Sequence, residues 1–109
     1  MKNFRKNIYR QNSIENSPEP PYHLYNTLQG DFNCFEGFIN ITNTSPLVVY
    51  TPNLITEWDI GTTLYSDEAM TIPVTATYIK SVPEGIINLF YIDLIDGIIV
   101  DKYEPNTPC

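Results

Sequence analysis

Alanine is nearly missing from this 109-residue chain, which holds only Ala69 and Ala76. With nine prolines present, the best helix former is scarce and the strongest helix breaker is common. Eight tyrosines, five phenylalanines and a tryptophan instead stand among many Ile, Val and Thr residues. Those types lose side-chain freedom in a helix and suit a pleated surface. The balance predicts an all-β fold: a small antiparallel sandwich or barrel-like domain with an extended N-terminal arm. The length suits one domain. A 42% hydrophobic content is enough for a core and excludes disorder along the whole chain.

Positive charge is missing from Gln11 to Ile79, a span that holds eight acids. Lys2, Arg5, Lys6 and Arg10 give the first ten residues +4 with no acid, while the whole chain carries −7. A basic arm ahead of an acidic body has three readings: a solvated tail, a docking segment for an acidic protein surface, or a contact for nucleic acid. Four cations are few for nucleic acid, and the acidic body repels phosphate.

Histidine and cysteine are scarce as well. His23 stands alone, with no Ser or Cys in a nucleophile setting to make a triad. Cys34 and Cys109 can pair, tying the C-terminus to an early strand, or can both stay free. Nothing marks an oxidising context, and free thiols are the expectation. One histidine and two distant cysteines make no zinc pattern, and no other metal or cofactor is expected. No apolar run nears the roughly 18 residues that span a bilayer, and the basic start lacks the apolar stretch of a secretory signal. The sequons at Asn40 and Asn43 matter only in a eukaryotic secretory route. Gly-rich phosphate loops are absent, and the aromatics lack the interleaved cations of a single-strand nucleic-acid platform.

Residues 1–21 read as the arm. They are polar, without sustained period, and end in Pro-Glu-Pro-Pro, which favours extended backbone. Phe4, Ile8 and Tyr9 are its candidate anchors. The β domain takes 22–109. Within it, "DFNCFEGFINIT" (31–42) alternates with Phe35, Ile39 and Ile41 on one side and Phe32, Cys34 and Phe38 on the other, with Gly37 marking a bulge or a close backbone approach. "NTSP" predicts a turn before a short strand at 47–51. A loop follows, and "VTATYIKS" (74–81) reads as a strand.

The sharpest local signal is Asp96-Gly97, a pair suited to the positive φ values of a type I′ hairpin turn. Strict alternation from that turn sets Leu94 opposite Ile99, Tyr91 opposite Lys102 and Phe90 opposite Tyr103. One face then carries Phe90, Ile92, Leu94, Ile99 and Tyr103. The other carries Leu89, Tyr91, Ile95, Ile98 and Val100. Two apolar faces require cover on both sides, and a domain this small struggles to supply both. Tyr91, Ile95, Ile98 and Val100 are therefore the expected contact with a like subunit.

Acids near a glycine in "DLIDGIIVD" fail the spacing of a calcium loop. Trp58 between Glu57 and Asp59 is the alternative site, a sugar-stacking ring with hydroxyl-binding carboxylates; the competing reading is a core tryptophan. No arrangement supports an enzyme.

Within "GTTLYSDEAMTIPV" (61–74), the order Gly61, Leu64-Tyr65, Asp67, Thr71, Pro73 precedes a Tyr-bearing strand, an aromatic hairpin and a terminal Cys. This "G-x-x-LY-x-D-x-x-x-T-x-P" pattern, from Leu47 to Cys109, resembles a small β module of Bacteroidetes and their phages, including crAss-like phages. The module sits near the C-terminal end of tail, fibre and other virion-associated chains. The hairpin here is more apolar than the polar, Gly-rich ending of that module, which favours a packed interface over a free receptor-binding surface. The resemblance implies a virion structural protein (head fibre, capsid decoration or tail-associated) whose partners are other virion proteins and further copies of itself. Apart from the resemblance, no membrane partner is expected, and the charge balance disfavours nucleic acid. A carbohydrate-binding or adhesin-type module is the alternative.

Overall fold

The computed structural model describes residues 20–109, so Phe4, Ile8 and Tyr9 lie outside the described residues. The all-β class holds. Five strands, β1 (His23–Phe35), β2 (Phe38–Thr51), β3 (Tyr78–Ser81), β4 (Tyr91–Ile95) and β5 (Ile98–Tyr103), form one sheet in the order β2-β1-β3-β4-β5. All neighbours are antiparallel. Between β2 and β3 the chain is irregular apart from a 3-10 turn at Ile55–Glu57. Regular pairing begins only at Tyr78, so 74–77 is not strand as its alternation suggested.

The predicted single strand at 31–42 is instead the tip of a long hairpin. Glu36 and Gly37 both take positive φ, 52° and 88°, and Phe35 pairs with Phe38. Reversal at this turn changes the parity. Phe32 and Cys34 now share a face with their partners Ile41 and Ile39, while Phe35 and Phe38 share the opposite one. The "NTSP" segment is no turn either, because β2 runs through it. It holds a β-bulge: Gln29 faces Ser45 and Asp31 faces Thr42, leaving one extra residue on β2. Asn43 there has φ 54° and donates to the Asp31 carboxylate at 3.0 Å. Opposite the bulge, a Cβ on Gly30 would lie 2.4 Å from the Thr42 carbonyl oxygen, so only glycine permits this approach.

Beyond the bulge the hairpin supplies a cover. Ile39 and Ile41 form a buried cluster with Tyr91, against which Tyr78, Leu89 and Tyr103 pack. The second face of β4–β5 is thus covered at Tyr91 by the chain's own hairpin. The C-terminal tail lies along the same hairpin. Ile39 donates its N–H to the Thr107 carbonyl (2.8 Å), and Cys109 donates to the Gly37 carbonyl (2.9 Å). Against the free-thiol expectation, Cys34 and Cys109 are joined by a disulfide. Proximity that sequence spacing cannot report decides this: 75 positions separate the two cysteines, and the fold brings their Cα atoms to 6.2 Å.

The Asp96-Gly97 turn forms as expected, with φ 53° and 77°. The register holds for Ile95–Ile98 and Leu94–Ile99, then slips: Asp93 faces Asp101, Ile92 faces Lys102 and Tyr91 faces Tyr103. Val100 is the extra residue. Beyond it the faces exchange, so Tyr103 joins the Tyr91 side and Lys102 takes the place foreseen for Tyr103.

The main core lies on the first face. Val49, Ile79, Ile92, Leu94 and Ile99 from the sheet pack against Ile55, Trp58, Leu64 and Val74 from the 52–77 segment. The buried Thr and Ser hydroxyls are paired, as burial requires: Thr27 donates to the Leu47 carbonyl, Thr51 to that of Thr63 and Ser81 to that of Asn88. Gly97 sits where the covering segment meets the sheet. A Cβ there would lie 2.7 Å from Pro73 Cβ and 2.9 Å from the Leu64 carbonyl oxygen. Gly97→Ala therefore combines a positive-φ penalty with overpacking, and is expected to cost about 2–4 kcal/mol in urea denaturation.

Candidate functional site

The 61–74 segment is built from turn chemistry and packing. Gly61 has φ 98° and donates to the Ile99 carbonyl, while Leu64 donates to the Gly97 carbonyl, each at 2.8 Å. The Leu64 side chain is fully buried. Tyr65 and Tyr50 exchange two backbone hydrogen bonds of 2.8 Å, which continues the β2 edge. Asp67 closes the loop that follows. Its carboxylate accepts the N–H groups of Thr71 and Ile72 (2.9 Å each) and the Thr71 hydroxyl at 2.5 Å. These bonds, the Thr71 hydroxyl first and the Ile72 N–H next, hold its pKa below the ordinary carboxylate value. Pro73 lies against Gly97. Each residue of the motif thus has a structural duty.

Trp58 is 1% exposed. Its ring meets Tyr25 edge-on at 5.5 Å and Phe90 at 6.0 Å, and its indole N–H points to the Asn53 carbonyl at 3.4 Å. Lys102 donates to the Trp58 carbonyl (2.8 Å) and lies 4.9 Å above the Phe90 ring. Glu57 and Asp59 are exposed. The carboxylates therefore reach solvent, and the ring that would stack a sugar does not. An open groove of about 540 Å³ lies beside this cluster, between Ile55, Ile87, Phe90 and Glu104.

Beneath the second face lies a carboxylate under pressure. Asp93 accepts the Tyr103 hydroxyl at 3.0 Å and stands cross-strand from Asp101. Burial first, and then Asp101, push its pKa up; the Tyr103 hydrogen bond works in the other direction. Tyr103 is pushed up to about 12 by burial and by the Asp93 carboxylate that its hydroxyl contacts. Among the described residues no group of three His, Cys, Asp or Glu side chains is placed to hold a metal. His23 is exposed, with its ring 6.3 Å from that of Tyr25.

The expected subunit contact is divided by the fold. Tyr91 is buried under Ile39 and Ile41, and Val100 is half-buried. Ile95 and Ile98, paired beside the turn, are 61% and 41% exposed. The sequence reading missed a matching pair: Phe35 and Phe38, 62% and 42% exposed, flank the Glu36-Gly37 turn. Phe-Glu-Gly-Phe and Ile-Asp-Gly-Ile share one pattern, an acid and a glycine between apolar residues, and that pattern was the available signal.

Comparison with family models, with curated proteins and with solved structures yields no match.

Two outcomes follow from this geometry. Trp58→Ala is expected to cost about 3–5 kcal/mol in denaturant titrations, the loss of a buried aromatic. For Asp93, the raised folded pKa means that protonation favours the folded state. That contribution is present below the unfolded carboxylate value and fades as pH rises through the folded one. Asp93→Asn keeps an acceptor for Tyr103 and removes the ionisation penalty. Its stability relative to the parent should be near parity at about pH 3 and higher at about pH 7, as read by urea midpoints at both.

Proposed function

We propose that this chain is a non-enzymatic structural protein of a virion, as a head fibre, a capsid decoration or a tail-associated component. In this reading it docks through its basic N-terminal arm on another virion protein and assembles through contacts of its β domain. The observation that carries the assembly half is the exposed Ile95–Ile98 pair, two large apolar side chains adjacent on one strand pair at the end of the β4–β5 hairpin. Exposed apolar residues grouped in this way favour association more than scattered ones do. The virion assignment rests on the resemblance of the 47–109 segment.

Charge supports the docking half. Four of the six cations lie in the first ten residues, so a total of −7 leaves −11 on residues 11–109. An arm of opposite sign to its own body is suited to an acidic partner surface, and ordering on that partner exchanges chain entropy for wide contact. The β domain serves in this reading as a barrel-like unit, with the C-terminal tail bridging from the end of β5 to β2. The carbohydrate-binding alternative gains nothing from the geometry, because Trp58 is enclosed.

Sedimentation velocity over a wide concentration range tests the assembly half. The full chain should associate, and Ile95→Asp combined with Ile98→Asp should weaken that association at least tenfold. A monodisperse monomer at the highest concentration would refute it. For docking, protein lacking residues 1–19 should be lost from purified particles, and retention at full occupancy would overturn that half.

A further inference from the structure

The Cys34–Cys109 bond sits at the one end of the domain where the main core contributes nothing. The ten buried residues of that core come from β2 to β5 and the segments joining them, and none belongs to the hairpin beyond the bulge or to the tail after Tyr103. The tail itself is shallow. Pro105, Asn106, Pro108 and Cys109 are exposed, and Thr107 is half-buried. It is tied to the hairpin by two backbone hydrogen bonds, from Ile39 to Thr107 and from Cys109 to Gly37, and by the disulfide.

The hairpin beyond the bulge is held almost as lightly. Its buried contribution is Ile39 and Ile41 on Tyr91, supported by the Phe32 ring 5.5 Å from that of Tyr78. Its junction with the rest of the sheet is the bulge, where Asn43 takes positive φ and β2 holds one unpaired extra residue. A bulge is where a strand pair bends most readily. Segments with few buried contacts open at lower free energy than the core and open as a unit.

We infer that the Cys34–Cys109 disulfide is a redox latch on this end of the molecule. When it is closed, the tail is clasped to β2 and the hairpin tip is pinned over Tyr91. When it is open, the tail leaves the β2 edge at Phe38–Ile39 and the tip is free to lift from the second face, while the main core stays folded. Both cysteines are exposed, so the bond is within reach of a dithiol. The chemistry is ordinary exchange. A dithiol thiolate attacks one of the two sulfurs, forming a mixed disulfide and releasing the other cysteine as a thiolate. The second thiol of the reagent then displaces the remaining cysteine. The reagent leaves as a cyclic disulfide, and two electrons and two protons pass to Cys34 and Cys109. A reducing cell interior therefore favours the open form and an oxidising exterior the closed one. This inference does not depend on the virion reading.

Amide hydrogen exchange on the full chain, with and without dithiothreitol, tests it. With the bond reduced, the Ile39 amide should exchange at least tenfold faster, while the Leu94 and Ile99 amides, which donate to Thr77 and Thr62, keep their rates. Cys109→Ser should show the same pattern without reductant, and reoxidation of the parent chain should restore Ile39. Unchanged protection of Ile39 in the reduced chain would overturn the latch. So would loss of protection at Leu94 and Ile99 alongside it, because the bond would then be holding the whole fold.

Discussion

The contact between the 61–74 segment and the Asp96-Gly97 turn is the constraint on which the main core depends. A single five-stranded sheet has an apolar first face, and the described residues hold no α-helix to cover it. The irregular 52–77 segment does that work, and the hydrogen bond from Leu64 to the Gly97 carbonyl anchors it. The absence of a side chain at Gly97 lets Pro73 and the Leu64 backbone come close enough to seal the face. Leu64 and Val74 then enter the same cluster as Ile92, Leu94 and Ile99. Positive φ and close approach are demanded at one residue, so the turn that reverses the chain also fits the lid to the sheet.

The second face is covered differently. One hairpin, bent at a bulge, folds its far half back over Tyr91, and the C-terminal tail and a disulfide hold it there. The two covers differ in depth. The first buries a tryptophan and a run of aliphatic residues, whereas the second buries three residues and leaves Phe35 and Phe38 at its tip. Edges are managed in the same economical way. Tyr65 pairs with β2 near its end, Pro108 bridges to its start, and Pro46 and the bulge interrupt the stretch between, leaving little continuous edge for another strand.

Much of the local structure was legible. The scarcity of alanine and the abundance of β-branched and aromatic residues pointed to strands, and Asp96-Gly97 marked its turn by an elementary φ requirement. Other features were hidden for identifiable reasons. Glu36-Gly37 reads as an irregularity inside one strand, because a glycine between apolar residues suits a bulge as well as a two-residue turn, and only the cross-strand pairing of Phe35 with Phe38 separates them. The bulge at Val100 left no trace in composition, yet it moved Tyr103 and Lys102 to opposite faces. Trp58 between two acids favoured a core residue over a sugar platform, yet the burial that separates the two depends on Tyr25 and Phe90, distant in sequence.

The sequence by itself determined the class of the fold, the placement of the β4–β5 turn and the turn-forming nature of the 61–74 segment, because propensity, φ preference and short-range hydrogen bonding act within a few residues. Only the tertiary structure decided which apolar faces are covered, that Cys34 meets Cys109, and that Ile95, Ile98, Phe35 and Phe38 are among the residues left outside. Those outcomes depend on two bulges and on one long hairpin returning over the sheet. Side-chain direction inverts with each added residue, so a single bulge changes what is buried without changing any local preference.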